Sequence, residues 1–295
     1  MAAAEVSVLV PTRALTERVS LVRRALDSLH AQKRVRVTPI VILNGATQDA
    51  SLAAELLADR RLRVTSLEHA DLPAALRAGR TLVDTPYFAE LDDDDVLLPD
   101  ALAARIAAIE EGSGFDAVVS NGIRRDAAGD VLHLTDVPRI ERDPVRALTD
   151  SNWLLPGSWL CRTESVGSWL FDGMPPYLEC TYLALQLATR CRLRFLDRAT
   201  VVWNIGTPAS VSRSRDYVLG QVPALLRILE LDLPVAVRAE YRARLTDAYH
   251  ASACAHLGEG ALADAWRWHL RTLRGRGGWR HLPFTRKLLR PPRAP

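Results

Sequence analysis

Apolar and polar positions repeat with two different periods along the first part of the chain. "VSVLVPT" (residues 6–12) is a short, β-branched run, and "SLVRRALDSLHAQ" (residues 20–32) sets Leu21, Val22, Ala25, Leu26 and Leu29 at helical spacing. "VTPIVILNGA" (residues 37–46) is a second apolar run long enough for a buried strand, so the opening predicts a βαβ unit. The alternation goes on: helix in "ASLAAELLADR", strand in "LRVTSLE", helix in "DLPAALRAGRTLVD", strand in "YFAEL", and helix in "LPDALAARIAAIEEG" ended by Gly112. Apolar strands alternating with amphipathic helices predict an α/β fold with a mostly parallel sheet covered on both faces.

Beyond Asp116 the pattern loosens. "DAVVSNGIRRDAAGDVLHL" reads as two strands around a polar turn, "PGSWLCR" as a short strand, "LECTYLALQLATR" as a helix, and "LRFLDRATVVWN" as one strand or a pair. From Asp216 onward the chain is helical, and "VAVRAEYRARLTDAYHASACAHLG" and "ALADAWRWHLRTLR" are spaced to form a helical hairpin. The predicted division is residues 1–214, with a 1–115 half and a 116–214 half, followed by a helical region, 215–295.

Composition adds a charge asymmetry. The chain has 295 residues, 48% hydrophobic and 25% charged, enough for a full core in a large domain with an appendage. Of the 38 Lys/Arg, nine lie from Trp266 onward with no Asp/Glu among them, so 29 basic side chains face 35 acidic ones in the body. The tail, residues 266–295, interleaves Arg with Trp, Leu and Phe. It reads as a helix docked on the core, as a membrane-surface segment, or as a nucleic-acid patch, the last disfavoured for want of a binding module. No window offers about 18 uninterrupted apolar residues, and Cys161, Cys180, Cys191 and Cys254 lack metal or disulfide spacing. The expected location is therefore cytoplasmic, with peripheral attachment to the inner membrane face as the alternative.

The chemistry concentrates in "FAELDDDDVLLPDAL", where Asp92, Asp93, Asp94 and Asp95 follow the "YFAEL" strand. In open α/β sheets ligands bind beyond the carboxyl ends of strands. Adjacent carboxylates repel one another unless a cation neutralises them, and Mg²⁺ or Mn²⁺ is usually held by one or two carboxylates together with substrate phosphates. Asp95 or Asp100 could instead cap the following helix, which would account for one or two of the acids but not all four. A calcium loop fails because Leu97 and Ala103 stand where its glycine and final glutamate belong.

These motifs, in this order, resemble glycosyltransferase family 2, nucleotide-sugar enzymes of the GT-A type. "VSVLVPTRA" is similar to the family's opening V-S-V-x-x-P-T-Y-N, "VILNGAT" to V-V-D-D-G-S, "LPAALRAG" to S-A-A-R-N-A-G, and "LDDDDVLLPDAL" to L-D-x-D-D-x-x-x-P-x-x-L. Further on, "PGSWLCRTESVGSWLFDGMPPYLECTYLALQLA" resembles the V-G-G-F-D and E-D segment, and "WNIGTPASVSRS" the closing Y-R-x-H-x-x-S-x-S. The likeness spans residues 6–213. It departs at Asn44 (usually Asp), at Leu76-Arg77 (usually R-N), at Cys180 (usually Asp) and at Gly206 or Thr207 (usually His).

The resemblance implies a Rossmann-like GT-A sheet with a C-terminal helical extension, and a metal-dependent, inverting transfer of sugar from a nucleotide diphosphate sugar to a hydroxyl acceptor. A UDP-sugar is favoured, with TDP or GDP as alternatives. Asp94 and Asp92 would meet the Mn²⁺ or Mg²⁺, with Asp92 also near the ribose and Asp93 and Asp95 around the substrate side. Pro11 and Thr12 would line the nucleotide and Asn44 read the base edge. Arg77 would balance diphosphate charge. Glu179 would be the base, with Asp172 as fallback. Trp159, with Trp153, offers a sugar-stacking face, against the commoner fate of core packing. Two other classes compete. A nucleotidyltransferase would need a glycine-rich loop after the first strand, which "VPTRALTERVS" lacks. A catalytically weak or inactive sugar-nucleotide binder is favoured by Asn44, Cys180 and Gly206.

Overall fold

The computed structural model describes residues 3–46, 48–112, 114–208 and 214–289. The chain falls into two units, Met1–Met174 with Glu179–Ala209, and Pro175–Leu178 with Ser210–Pro295.

The first unit contains one sheet of nine strands: β1 (Ala4–Thr12), β2 (Val35–Asn44), β3 (Arg63–Leu67), β4 (Tyr87–Glu90), β5 (Val96–Leu97), β6 (Ala117–Asp126), β7 (Gly129–Leu132), β8 (Trp159–Arg162) and β9 (Leu193–Asn204). Its helices are α1 (Val19–His30), α2 (Ala50–Ala58), α3 (Leu72–Thr81), α4 (Ala101–Glu110), α5 (Val137–Arg142), α6 (Pro144–Ala147) and α7 (Glu179–Arg190). The strand order is β3-β2-β1-β4-β8-β6-β9-β5, with β7 hydrogen-bonded to β6. Strands β1, β2, β3, β4, β6 and β9 run one way, and β5, β7 and β8 run against them. The sheet is thus the mostly parallel one that the alternation predicts.

Burial explains why β1 and β2 sit centrally. Val6, Val8, Leu9 and Val10 of β1 and Ile40, Val41 and Ile42 of β2 are all fully buried, so consecutive residues, which point to opposite faces, are covered on both. Helix α3 comes close because of Gly79, where a Cβ would lie 2.8 Å from Ile42 Cδ1. The "LRFLDRATVVWN" segment forms the single strand β9, whose register against β6 shifts on either side of Asn121. Strand β5, two residues long, pairs with β9 immediately after the acidic run.

The second unit holds α8 (Arg215–Ile228), α9 (Val235–Gly258), α10 (Leu262–Arg274), a 3-10 turn (Gly278–Phe284) and α11 (Thr285–Leu289). Gly260, at φ 75°, makes the turn between α9 and α10. Ala253, Ala265, Phe284 and Leu288 form a small core, with Leu257, Leu262, Trp266 and Trp268 packed against it. No described helix is long and apolar enough to cross a membrane.

Candidate active site

Strand β4 lies parallel to β1 in the middle of the sheet, and the Leu91 N–H donates to Leu9 O at 2.9 Å just past its end. The chain then turns through residues 92–95, closed by Asp95 N–H to Asp92 O at 3.1 Å, and enters β5. The four aspartates therefore stand beyond the carboxyl end of a central parallel strand, where α/β sheets bind ligands.

Their side chains divide. One carboxylate oxygen from each of Asp92, Asp94 and Asp95 lies within 4.8 Å of the others. Asp93 turns away. Its buried carboxylate accepts from Thr12 Oγ1 and from the Arg18 guanidinium, with Arg18 Nε 3.1 Å from Oδ1. Arg18 also lies 3.1 Å from Asp94 Oδ2 and donates through Nη1 to Pro208 O at 2.8 Å.

The end of β9 supplies the remaining contacts. Asn204 N–H donates to Asp95 Oδ1 at 2.9 Å, its side-chain amide donates to Asp94 O at 2.7 Å, and Thr207 Oγ1 donates to Asp94 Oδ2. Asp95 Oδ2 remains buried with no hydrogen-bond partner among the described residues. Neither aspartate proposed as a helix cap serves as one: Asp95 bonds to Asn204, and Asp100, at φ 60°, makes no side-chain cap to α4 and pairs with Arg34 at 3.1 Å.

The electrostatics are those of crowded, desolvated acids. Burial first, then Glu90 and Asp95, raises the Asp92 carboxyl well above its ordinary range. Burial and Asp94 do the same to Asp95, against the Asn204 N–H, which lowers it. A divalent cation would reverse the balance by favouring the ionised forms. Three carboxylates within one ion's reach, one with an orphaned buried oxygen, form a hard oxygen donor set that fits Mg²⁺ or Mn²⁺.

A second acidic group lies alongside. Glu90, the last residue of β4, is 4% exposed, and burial followed by the nearby Glu179 pushes its carboxyl up to about 8, partly offset by a bond from the Trp159 side chain. Burial also raises Glu179, the first residue of α7. Glu179, Glu90, Asp92 and Asp95 all act on Cys180, whose burial and acidic neighbours hold it as a neutral thiol. The residue before Glu179, Leu178, takes φ 57°, a left-handed conformation that costs a leucine about 1–2 kcal/mol. The fold thus sets Glu179 near Glu90, and its neighbour Cys180 within the field of Asp92 and Asp95.

Other predicted residues fall less simply. Pro11 and Thr12 end β1, buried, with Thr12 committed to Asp93. Asn44 ends β2, and its Oδ1 accepts the Asp71 N–H at 2.8 Å. Arg77 is partly exposed on α3, and Asp172 is exposed, its carbonyl accepting from Tyr182 Oη at 2.8 Å. Trp159 and Trp153 correct the sugar-stacking expectation. Trp159 is 1% exposed, edge-on to Phe88, and Trp153 is fully buried, edge-on to Phe195, with its indole N–H on Pro144 O at 2.8 Å. Both are core residues. The closing motif runs past Pro208 into residues 209–213, which lie outside the described residues.

Arg18, Glu90, Asn204 and Thr207 were not singled out from sequence as contributors. A glutamate inside an otherwise apolar strand was the available signal for Glu90.

No curated protein matches the chain significantly. Among solved structures, S. aureus TarS 1–349 in complex with UDP-GlcNAc matches at 16% identity over 86% of this chain and 73% of that one, with TM-score 0.57. The same TarS fragment with UDP matches at 14% identity over 86% and 80%, with TM-score 0.56. Against a longer TarS chain the match covers 83% of this chain and 43% of the other, at 17% identity and TM-score 0.55. At such identities the likeness is one of fold. The model of "Glycosyl transferase family 2" matches residues 7–157, from β1 through the acidic turn to the loop before β8. With that match over half its length, on the elements that carry the acidic site, the chain belongs to glycosyl transferase family 2.

Proposed function

We propose that the protein transfers a sugar from a nucleotide diphosphate sugar to a hydroxyl acceptor, with inversion at the sugar carbon. The observation that carries this reading is the convergence of Asp92, Asp94 and Asp95 beyond β4, with Glu179 acting on Glu90 at the end of that strand. A UDP-sugar is the favoured donor. The TarS structures of like fold hold UDP and UDP-GlcNAc, and an Asn44 amide could pair with a pyrimidine edge.

Asp94 and Asp92 would hold a Mn²⁺ or Mg²⁺ ion, with the free oxygen of Asp95 beside them, and the ion would offset the charge that builds on the leaving diphosphate. Glu179 takes the proton of the acceptor hydroxyl. As that proton leaves, the acceptor oxygen bonds to the sugar's anomeric carbon, and the bond to the diphosphate breaks with its electron pair on the leaving group. Cys180 cannot share this task, because its burial among carboxylates keeps the thiol protonated. Asp172, exposed, is the second candidate base.

The same cysteine favours one other reading, a sugar-nucleotide binder with weak or no turnover. One experiment separates the two: release of nucleoside diphosphate from UDP-, TDP- and GDP-sugars, with and without Mn²⁺, alongside thermal stabilisation by each nucleotide. Slow metal-dependent release supports transfer. Stabilisation with no release across the panel supports binding alone.

A further inference from the structure

The C-terminal segment leaves three large apolar side chains on its surface. In the 3-10 turn, residues three apart eclipse one another, which sets Trp279 and Leu282 on one side, and Leu289 of α11 is also turned outward. These side chains are 76%, 54% and 69% exposed. Phe284 and Leu288 of the same segment point inward, buried in the small core with Ala253 and Ala265. Trp266 and Trp268 of α10 pack against that core as well. Of the three tryptophans in the tail, then, two help to fold the unit and one is left on its surface.

Charge frames these exposed apolar side chains. Arg274, Arg276, Arg280, Arg286 and Lys287 are all exposed. Among the described residues Arg280 pairs with Asp247, and no acidic partner is found for the other four. A docked helix with a solvated outer face explains exposed arginines but not an outward Trp279 flanked by Leu282 and Leu289. A nucleic-acid patch explains the cations but has no use for the leucines. Exposed apolar side chains within a ring of unneutralised cations are the pattern of a segment lying in an anionic lipid interface.

We infer that the surface formed by Trp279, Leu282 and Leu289, with Arg276, Arg286 and Lys287 around them, docks on an anionic lipid bilayer. The aromatic and aliphatic side chains enter the acyl boundary while the cations meet lipid phosphates. Each Lys or Arg near such a surface contributes about 1 kcal/mol, and salt screens the contribution. This inference does not depend on the transfer reading.

The test uses the full chain with vesicles of phosphatidylcholine alone or mixed with phosphatidylglycerol, at about 0.05 M and about 0.5 M salt. Co-sedimentation is expected to favour the anionic vesicles at least about tenfold at low salt and to lose most of that preference at high salt. Trp279→Ser with Leu282→Ser is expected to weaken vesicle binding about tenfold. A second variant, Arg276→Glu with Arg286→Glu and Lys287→Glu, is expected to bring anionic vesicles down to the neutral level. All these side chains are exposed, so melting temperatures should match the parent. Equal partition of parent and variants overturns the inference. So does self-association that disappears in the Trp279 variant without vesicle binding, or salt-sensitive binding to an RNA oligomer in place of vesicles.

Discussion

The Arg18 guanidinium binds Asp93 and at the same time sits 3.1 Å from Asp94 Oδ2, so the acidic turn carries its own cation. The pairing separates the four aspartates by role: Asp93 anchors the turn to Thr12 of β1 and to Arg18, and the other three converge. It also sets a competition, since an ion ligated by Asp94 must share that carboxylate with Arg18. Arg18→Gln is therefore expected to tighten Mn²⁺ binding by at least about tenfold, since one positive charge is removed a few ångströms from a divalent ion in a largely buried site. Isothermal titration of the two proteins with Mn²⁺ alone measures it; equal or weaker binding by the variant would mean that the tether matters more than the charge.

Asp94→Asn tests the metal assignment. The variant is expected to lose metal-dependent nucleotide binding and transfer with little change in melting temperature, because Asp94 sits among like charges. The measurement is thermal stabilisation by UDP with and without Mn²⁺. Full metal-dependent stabilisation in the variant would remove Asp94 from the site.

Glu179→Gln keeps the shape of the side chain and removes its basicity. Donor binding is expected to persist while transfer falls by about 10² to 10⁴, the usual contribution of a general base. An unchanged rate would move the role to Asp172, for which Asp172→Asn is the matching variant.

Glu90 should be visible in the pH dependence of stability. Its folded-state carboxyl is held at about 8, above the ordinary 4.5, so the folded protein binds this proton more tightly than the unfolded chain. Between those values stability is greatest at the acid end and falls as pH rises. Glu90→Gln removes that loss. The melting temperature of the variant, with a chelator present, should equal that of the parent near about pH 5 and exceed it by a few degrees near about pH 8.5. A difference that does not change with pH would show that the Glu90 carboxyl titrates alike in the folded and unfolded chain.

Much of this architecture was legible in the sequence because continuous apolar runs mark strands buried on both faces and a 3.6-residue period marks helices buried on one, as in the β1-α1-β2 opening. What escaped was set by distant partners. Strand β5 has only Val96 and Leu97, too few for any period, and exists because β9 lies beside it. Arg18 reads as one more surface arginine until the fold sets it against Asp93. Thr207 becomes a donor to Asp94 only when the segment after β9 reaches the acidic turn. Trp159 shows the opposite error, since an indole near a predicted site is as readily a wall as a platform.

Buried in the same unit is an arginine with no carboxylate. Arg105 of α4 is fully enclosed and held by neutral oxygens: Ser120 Oγ at 3.2 Å on β6, the carbonyls of Gly157 and Trp159, and Thr200 Oγ1 at 2.6 Å on β9. Enclosure without an anion lowers it to about 9. Freeing any one of those segments alone would strand a buried charge, so local opening is penalised and the whole unit is driven to come apart in a single step. Slowly exchanging amides in β1 and β9, from opposite ends of its sequence, should accordingly report the same opening free energy.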